Sequence, residues 1–97
     1  MEKARLIVSI GDTSYAIPVS EVVEAGELTR WMPLPFPRNG FVGAITLHDR
    51  VLALLDYELK REQERDFVVF LKNDEAFFGL LVDRLGAIIG LDKKEPP

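Results

Sequence analysis

The chain has 97 residues, of which 47% are apolar and 29% charged, with a formal net charge of −4 and no cysteine. That length fits one domain with a modest core, and the apolar share excludes an intrinsically disordered chain. The acidic balance argues against nucleic acid, whose binding draws on basic surface to neutralise phosphates, and the lack of cysteine excludes disulfides, thiolate nucleophiles and cysteine metal sites.

Met1 to Arg5 run straight into a strand pattern with no signal-peptide core, and no apolar run approaches a membrane span. A small chain without disulfides fits the cytoplasm. Leu6–Ile10 and Ser14–Ile17, rich in β-branched residues, lie on either side of Gly11-Asp12-Thr13 and read as a hairpin. Val19 to Val23 suit one short helical turn, and Val22 to Leu28 suit a strand interrupted by Gly26. Pro33, Pro35 and Pro37 alternate within Arg30 to Gly40. Proline has no N–H, so this stretch is expected to be an extended loop and not a ladder strand.

Gly43–Leu47 and Val51–Leu55 form a second expected hairpin across His48-Asp49-Arg50. Glu58 to Asp66 is dense in charge and reads as a solvated helix or loop. Phe67–Leu71 and Phe77–Val82 flank Lys72-Asn73-Asp74-Glu75 as a third hairpin, and Ala87–Leu91 is the last expected strand. About eight short strands at close spacing predict an all-β single domain over residues 1–97, built as an antiparallel barrel or a pair of small barrels. Phe67–Leu71 and Leu80–Val82 are apolar on both faces and need cover from two sides.

No catalytic constellation is present. His48, the one histidine, sits in a turn without a second histidine or a cysteine to complete a metal site. No serine lies in a Gly-x-Ser-x-Gly turn, and the glycines are scattered singly, so there is no phosphate-binding loop. The chain is expected to be no enzyme and to need no cofactor or metal. Asp56 and Asp83 end apolar runs and suit strand-end caps that accept backbone N–H groups; Glu24 sits likewise. Trp31 and Phe36 are expected to pin the proline segment onto the barrel, the alternative being an exposed anchor for a partner. A small-molecule barrel lined by Phe67, Phe70, Phe77 and Phe78 is a rival reading.

Several short motifs occur in order: Ile10-Gly11-Asp12, Tyr15-Ala16-Ile17-Pro18-Val19, Val22-Val23-Glu24, Leu34-Pro35-Phe36-Pro37, Gly43-Ala44-Ile45-Thr46-Leu47, Leu54-Leu55-Asp56 and Gly79-Leu80-Leu81-Val82-Asp83. Together they resemble the CheW-like domain family over nearly the whole chain. The resemblance implies two small SH3-like β-barrels. It also implies a cytoplasmic adaptor that binds the regulatory domain of a CheA-type histidine kinase and the cytoplasmic tip of chemoreceptors. The partner-facing positions it implies are Val22, Glu24, Gly43, Leu47 and His48.

Three departures stand out. His48-Asp49 occupies the family's Arg-Gly, replacing an arginine fork with a weak base and an acid. The segment after Asp56 is short. The sequence reaches Glu95-Pro96-Pro97 where the family pattern carries further strands, so the second barrel is expected to be incomplete unless another chain closes it. A homo-oligomer, or a self-associating structural subunit that has lost receptor coupling, is the corresponding alternative.

Overall fold

A computed structural model describes residues 4–57 and 65–90, and of Pro37 the backbone only. The strands in chain order are β1 (Arg5–Ile10), β2 (Thr13–Pro18), β3 (Val22–Glu27), β4 (Met32–Arg38), β5 (Phe41–Leu47), β6 (Arg50–Leu55), β7 (Phe67–Lys72), β8 (Phe77–Val82) and β9 (Arg84–Ile89). A 3-10 turn over Val19–Glu21 joins β2 to β3. No helix among the described residues is long and apolar enough to cross a membrane. The expected all-β class is what the chain adopts.

The strands form two sheets, ordered β2-β1-β9 and β3-β7-β8-β6-β5-β4. All pairs are antiparallel, as the short strands led one to expect, except β6 with β8, which run parallel because the β7–β8 hairpin sets β8 and not β7 beside β6. The six-stranded sheet cannot be flat. Its edge strands β3 and β4 are consecutive, joined only by residues 28–31. Five strand spacings of about 4.8 Å would put those edges roughly 24 Å apart, whereas five fully extended steps from Glu27 to Met32 reach at most about 18 Å. The sheet therefore curls, bringing β3 round towards β4 and β5. Neither sheet closes into a continuous ladder among the described residues.

Strand alternation divides the interior into two cores. On one face of β7 and β8, Val69, Leu71 and Val82 pack with Leu6, Val8 and Ile10 of β1 and Ile17 of β2. On the other face, Val68, Phe70 and Leu81 pack with Ile45, Leu47, Leu52 and Leu54 inside the curl. Successive side chains of a strand point to opposite faces, so β7 feeds both cores at once. This is the cover on two sides that its sequence calls for, supplied within one chain. The four phenylalanines of the rival ligand-binding reading are spent here: Phe70 and its neighbour Phe77 in the second core, Phe67 and Phe78 against the first.

Two expectations need correction. The proline segment is a strand and not a loop, but an irregular one. Met32 pairs with Ala44, Pro33 with Gly43 and Arg38 with Phe41, so residues 34–37 stand opposite Val42 alone. β4 lies at the sheet edge and bulges, and an edge and a bulge are where a residue without an N–H can sit. The last strand starts at Arg84 instead of Ala87 and pairs with β1 in the other sheet. Asp83 is the pivot at which the chain leaves β8, its N–H donating to the Ser9 carbonyl at 2.8 Å. Gly86 permits that pairing, because a Cβ there would press on the Ile7 carbonyl. Leu91 and most of the charged stretch, residues 58–64, lie outside the described residues.

Candidate functional site

The face built by β3 and the β5–β6 turn begins with an irregularity. Val22 pairs with Leu71 and Glu24 with Phe70, leaving Val23 as an extra residue in β3. A bulge of this kind re-aims the residues that follow it. Val22 packs against the first core, whereas Glu24 and Gly26 face a small cavity beside the second.

Across that cavity, β5 and β6 are joined by the tight turn His48-Asp49, between the paired Leu47 and Arg50. Both turn residues are left-handed, with φ of 47° and 68°. A two-residue turn with φ positive at both positions matches the right-handed twist of its strands, and its second position favours glycine. Asp49 occupies that position here. The turn carries the His48 ring to Glu24, and Nε2 lies 2.9 Å from Oε1. The side chains are 75% and 48% exposed respectively, so the pair lies at the surface. Beneath it, a cavity of about 170 Å³ is lined by Thr46, Leu47, Val68 and Phe70 as well as Gly26 and Glu27.

The five positions implied by the resemblance thus divide by role. Glu24 and His48 offer polar groups to solvent and to one another. Leu47 is buried and floors the cavity. Val22 is half-buried against the first core. Gly43 is buried, and a Cβ there would collide with the Met32 carbonyl and the Trp31 ring. Its service is to let Trp31 lie flat on β5, where the ring packs against the second core. The expected pinning thus holds for Trp31. It fails for Phe36, which is 82% exposed on the bulge. Arg50, the cation next to the turn, points elsewhere: its guanidinium stacks over Phe77, 5.0 Å from the ring centre.

Sequence reasoning missed a second polar cluster. Arg65, read as part of a solvated run, has a side chain only 1% exposed. Its Nη1 donates to Asp83 Oδ2 at 2.6 Å and its Nη2 to Asp56 Oδ1 at 3.3 Å. Asp83 also accepts the Gly11 N–H at 2.5 Å, a backbone donor as expected but from the β1–β2 turn, 72 residues away, and not from its own strand end. Burial alone would raise the Asp83 pKa, but the hydrogen bond from Arg65 and the Gly11 N–H outweigh it and hold the carboxyl below its ordinary value. Burial alone would lower the Arg65 pKa, and the hydrogen bonds and charges of Asp83 and Asp56 more than reverse it. The cluster ties the end of β6, the start of β7, the β8–β9 pivot and the β1–β2 turn. Nothing local in the sequence marks Arg65 out, since its partners lie nine and eighteen residues away.

Among the described residues, no group of three or more His, Cys, Asp or Glu side chains is placed to hold a metal ion. The two polar sites are a surface pair over an apolar-floored cavity and a buried charge clip. Neither contains an activated nucleophile.

Residues 5–96 match the family described as CheW-like domain. The fold is similar to that in the crystal structure of the scaffolding protein TtCheW from Thermoanaerobacter tengcongensis. The TM-score is 0.79 and the identity 19%, over 100% of this chain and 72% of that one. No curated protein matches the sequence. With the family match covering almost its whole length and the two-core fold agreeing with it, this chain belongs to the CheW-like domain family.

Proposed function

We propose that the protein is a non-catalytic CheW-like adaptor for chemotaxis-type signalling. It docks a CheA-type histidine kinase regulatory domain, a chemoreceptor cytoplasmic tip, or both, through the face bearing Glu24 and His48. The observation that carries this reading is the meeting of those two side chains, 24 residues apart in sequence, over a cavity floored by Leu47 and Phe70. An exposed pair of this kind contributes about 0–1 kcal/mol to folding. Its position is therefore better explained by what it presents than by what it holds together. A polar pair at the mouth of a recess in which Leu47, Val68 and Phe70 lie among Glu27, Thr29 and Thr46 offers a partner a small apolar spot inside a polar rim.

Calorimetric titration tests the reading. The kinase regulatory domain and a receptor-tip fragment are titrated separately into the protein, into Glu24→Arg and into His48→Ala. Binding of at least one ligand, weakened tenfold or more by Glu24→Arg, is the expected result. Binding that neither substitution alters, or no binding of either ligand, removes the reading.

A second reading, a self-associating structural subunit, is favoured by one observation. Ile88 and Ile89 are half-exposed on β9, a sheet edge among the described residues. An apolar edge strand invites pairing with another chain. Light scattering behind size exclusion would then show a mass that rises with concentration in the parent and not in Ile88→Lys. A constant monomer mass in both excludes it.

A further inference from the structure

The bulged edge strand β4 exposes Met32 (68%), Leu34 (40%) and Phe36 (82%) within a few residues of chain. Exposed Arg30 and Arg38 bracket them. Covering a phenylalanine side chain is favourable, and a cluster of exposed large apolar side chains generally marks an interaction site. We infer that this segment is a second docking surface, distinct from the Glu24–His48 face, and that its occupant is an amphipathic helix whose apolar row is bracketed by carboxylates.

Three observations select that occupant. First, the segment cannot readily take up another strand. Pro33, Pro35 and Pro37 carry no N–H, so the edge offers an added strand few donors, and side chains must do the recognising. Second, a second copy of this segment is a poor match. A two-fold contact centred on Leu34 would set Arg30 of one copy against Arg38 of the other at both ends, a like-charge clash at each. Third, the ends call for carboxylates, because arginine forks pair with them bidentately. An anionic lipid surface could also meet two arginines and a phenylalanine, but it would face the rest of a chain whose net charge is −4.

The experiment uses the full chain, labelled with 15N, and two synthetic helical peptides. Both carry leucines at i, i+4 and i+7; one has glutamates at its ends and the other lysines. Expected are shifts confined to amides of residues 30–38 and their β5 partners. The glutamate-ended peptide binds at least tenfold more tightly than the lysine-ended one, and Phe36→Ser weakens its binding at least tenfold. The double charge reversal Arg30→Glu, Arg38→Glu inverts the preference. An unchanged amide spectrum outside the segment shows that Phe36→Ser is folded, as its exposure predicts. Equal binding of the two peptides, shifts elsewhere, or no shifts at millimolar peptide overturn the inference. So does dimerisation, or binding to phosphatidylserine vesicles, that Phe36→Ser removes. No kinase or receptor enters this experiment, so its failure is separate from a failure of the docking reading above.

Discussion

Replacing Arg65 by alanine tests whether the buried clip holds the two halves of the fold together. The guanidinium is almost fully enclosed and bridges two carboxylates whose own side chains are 11% and 23% exposed. Removing one partner of a buried ion pair costs about 3–5 kcal/mol, because the remaining charge stays buried without compensation. The lower end applies, since Asp83 is partly solvated and keeps the Gly11 N–H. A loss of about 3 kcal/mol is a large part of the 5–15 kcal/mol typical of a domain. For a chain of this length it lowers Tm by about 12–24 °C.

Urea unfolding at pH 7, followed by circular dichroism and by Trp31 emission, reads the loss directly. The acid limb supplies an internal check. The Asp83 carboxyl is held below its ordinary value in the folded state. Its contribution is therefore complete above the ordinary carboxylate range and fades as pH falls through the lowered folded value. Arg65→Ala should flatten that limb. A cost under about 1 kcal/mol, or an acid limb identical in the two proteins, would refute the reasoning.

Other expectations follow from single contacts. Gly43→Ala drives a Cβ into the Met32 carbonyl and the Trp31 ring, costing about 1–3 kcal/mol by overpacking; Trp31 emission should shift to the red as the ring is displaced. Asp49→Gly relieves a left-handed residue and should raise stability by about 0.5–1 kcal/mol in chemical denaturation. Leu54→Ala opens a cavity in the second core, where Leu54 is fully buried, and should lower stability by about 2–5 kcal/mol with little change in the denaturant slope.

The local signals read well wherever one short segment carried its own instruction. Gly11-Asp12 closed the first hairpin, and the two-faced apolar run of β7 announced a strand covered on both sides. The tight turn at His48-Asp49 was legible as a turn, but not its geometry. Only the curl of the six-stranded sheet brings β3 within reach of it, and no periodicity encodes that curl. The proline segment misled because proline forbids a central strand and not an edge. Arg65 misled because a charge in a run of charges is usually solvated, and its partners are fixed by topology. The resemblance marks Gly43 as a partner-facing position, while its packing task, admitting Trp31, needed the packed structure.

The most direct test of the account is a pair of amide footprints on the 15N-labelled protein, one of the kinase regulatory domain and one of a receptor-tip fragment. The account predicts that for at least one of them the largest shifts fall in residues 22–27 and 46–49, centred on Glu24 and His48. Footprints of both confined to other strands, with those residues unmoved, would contradict it.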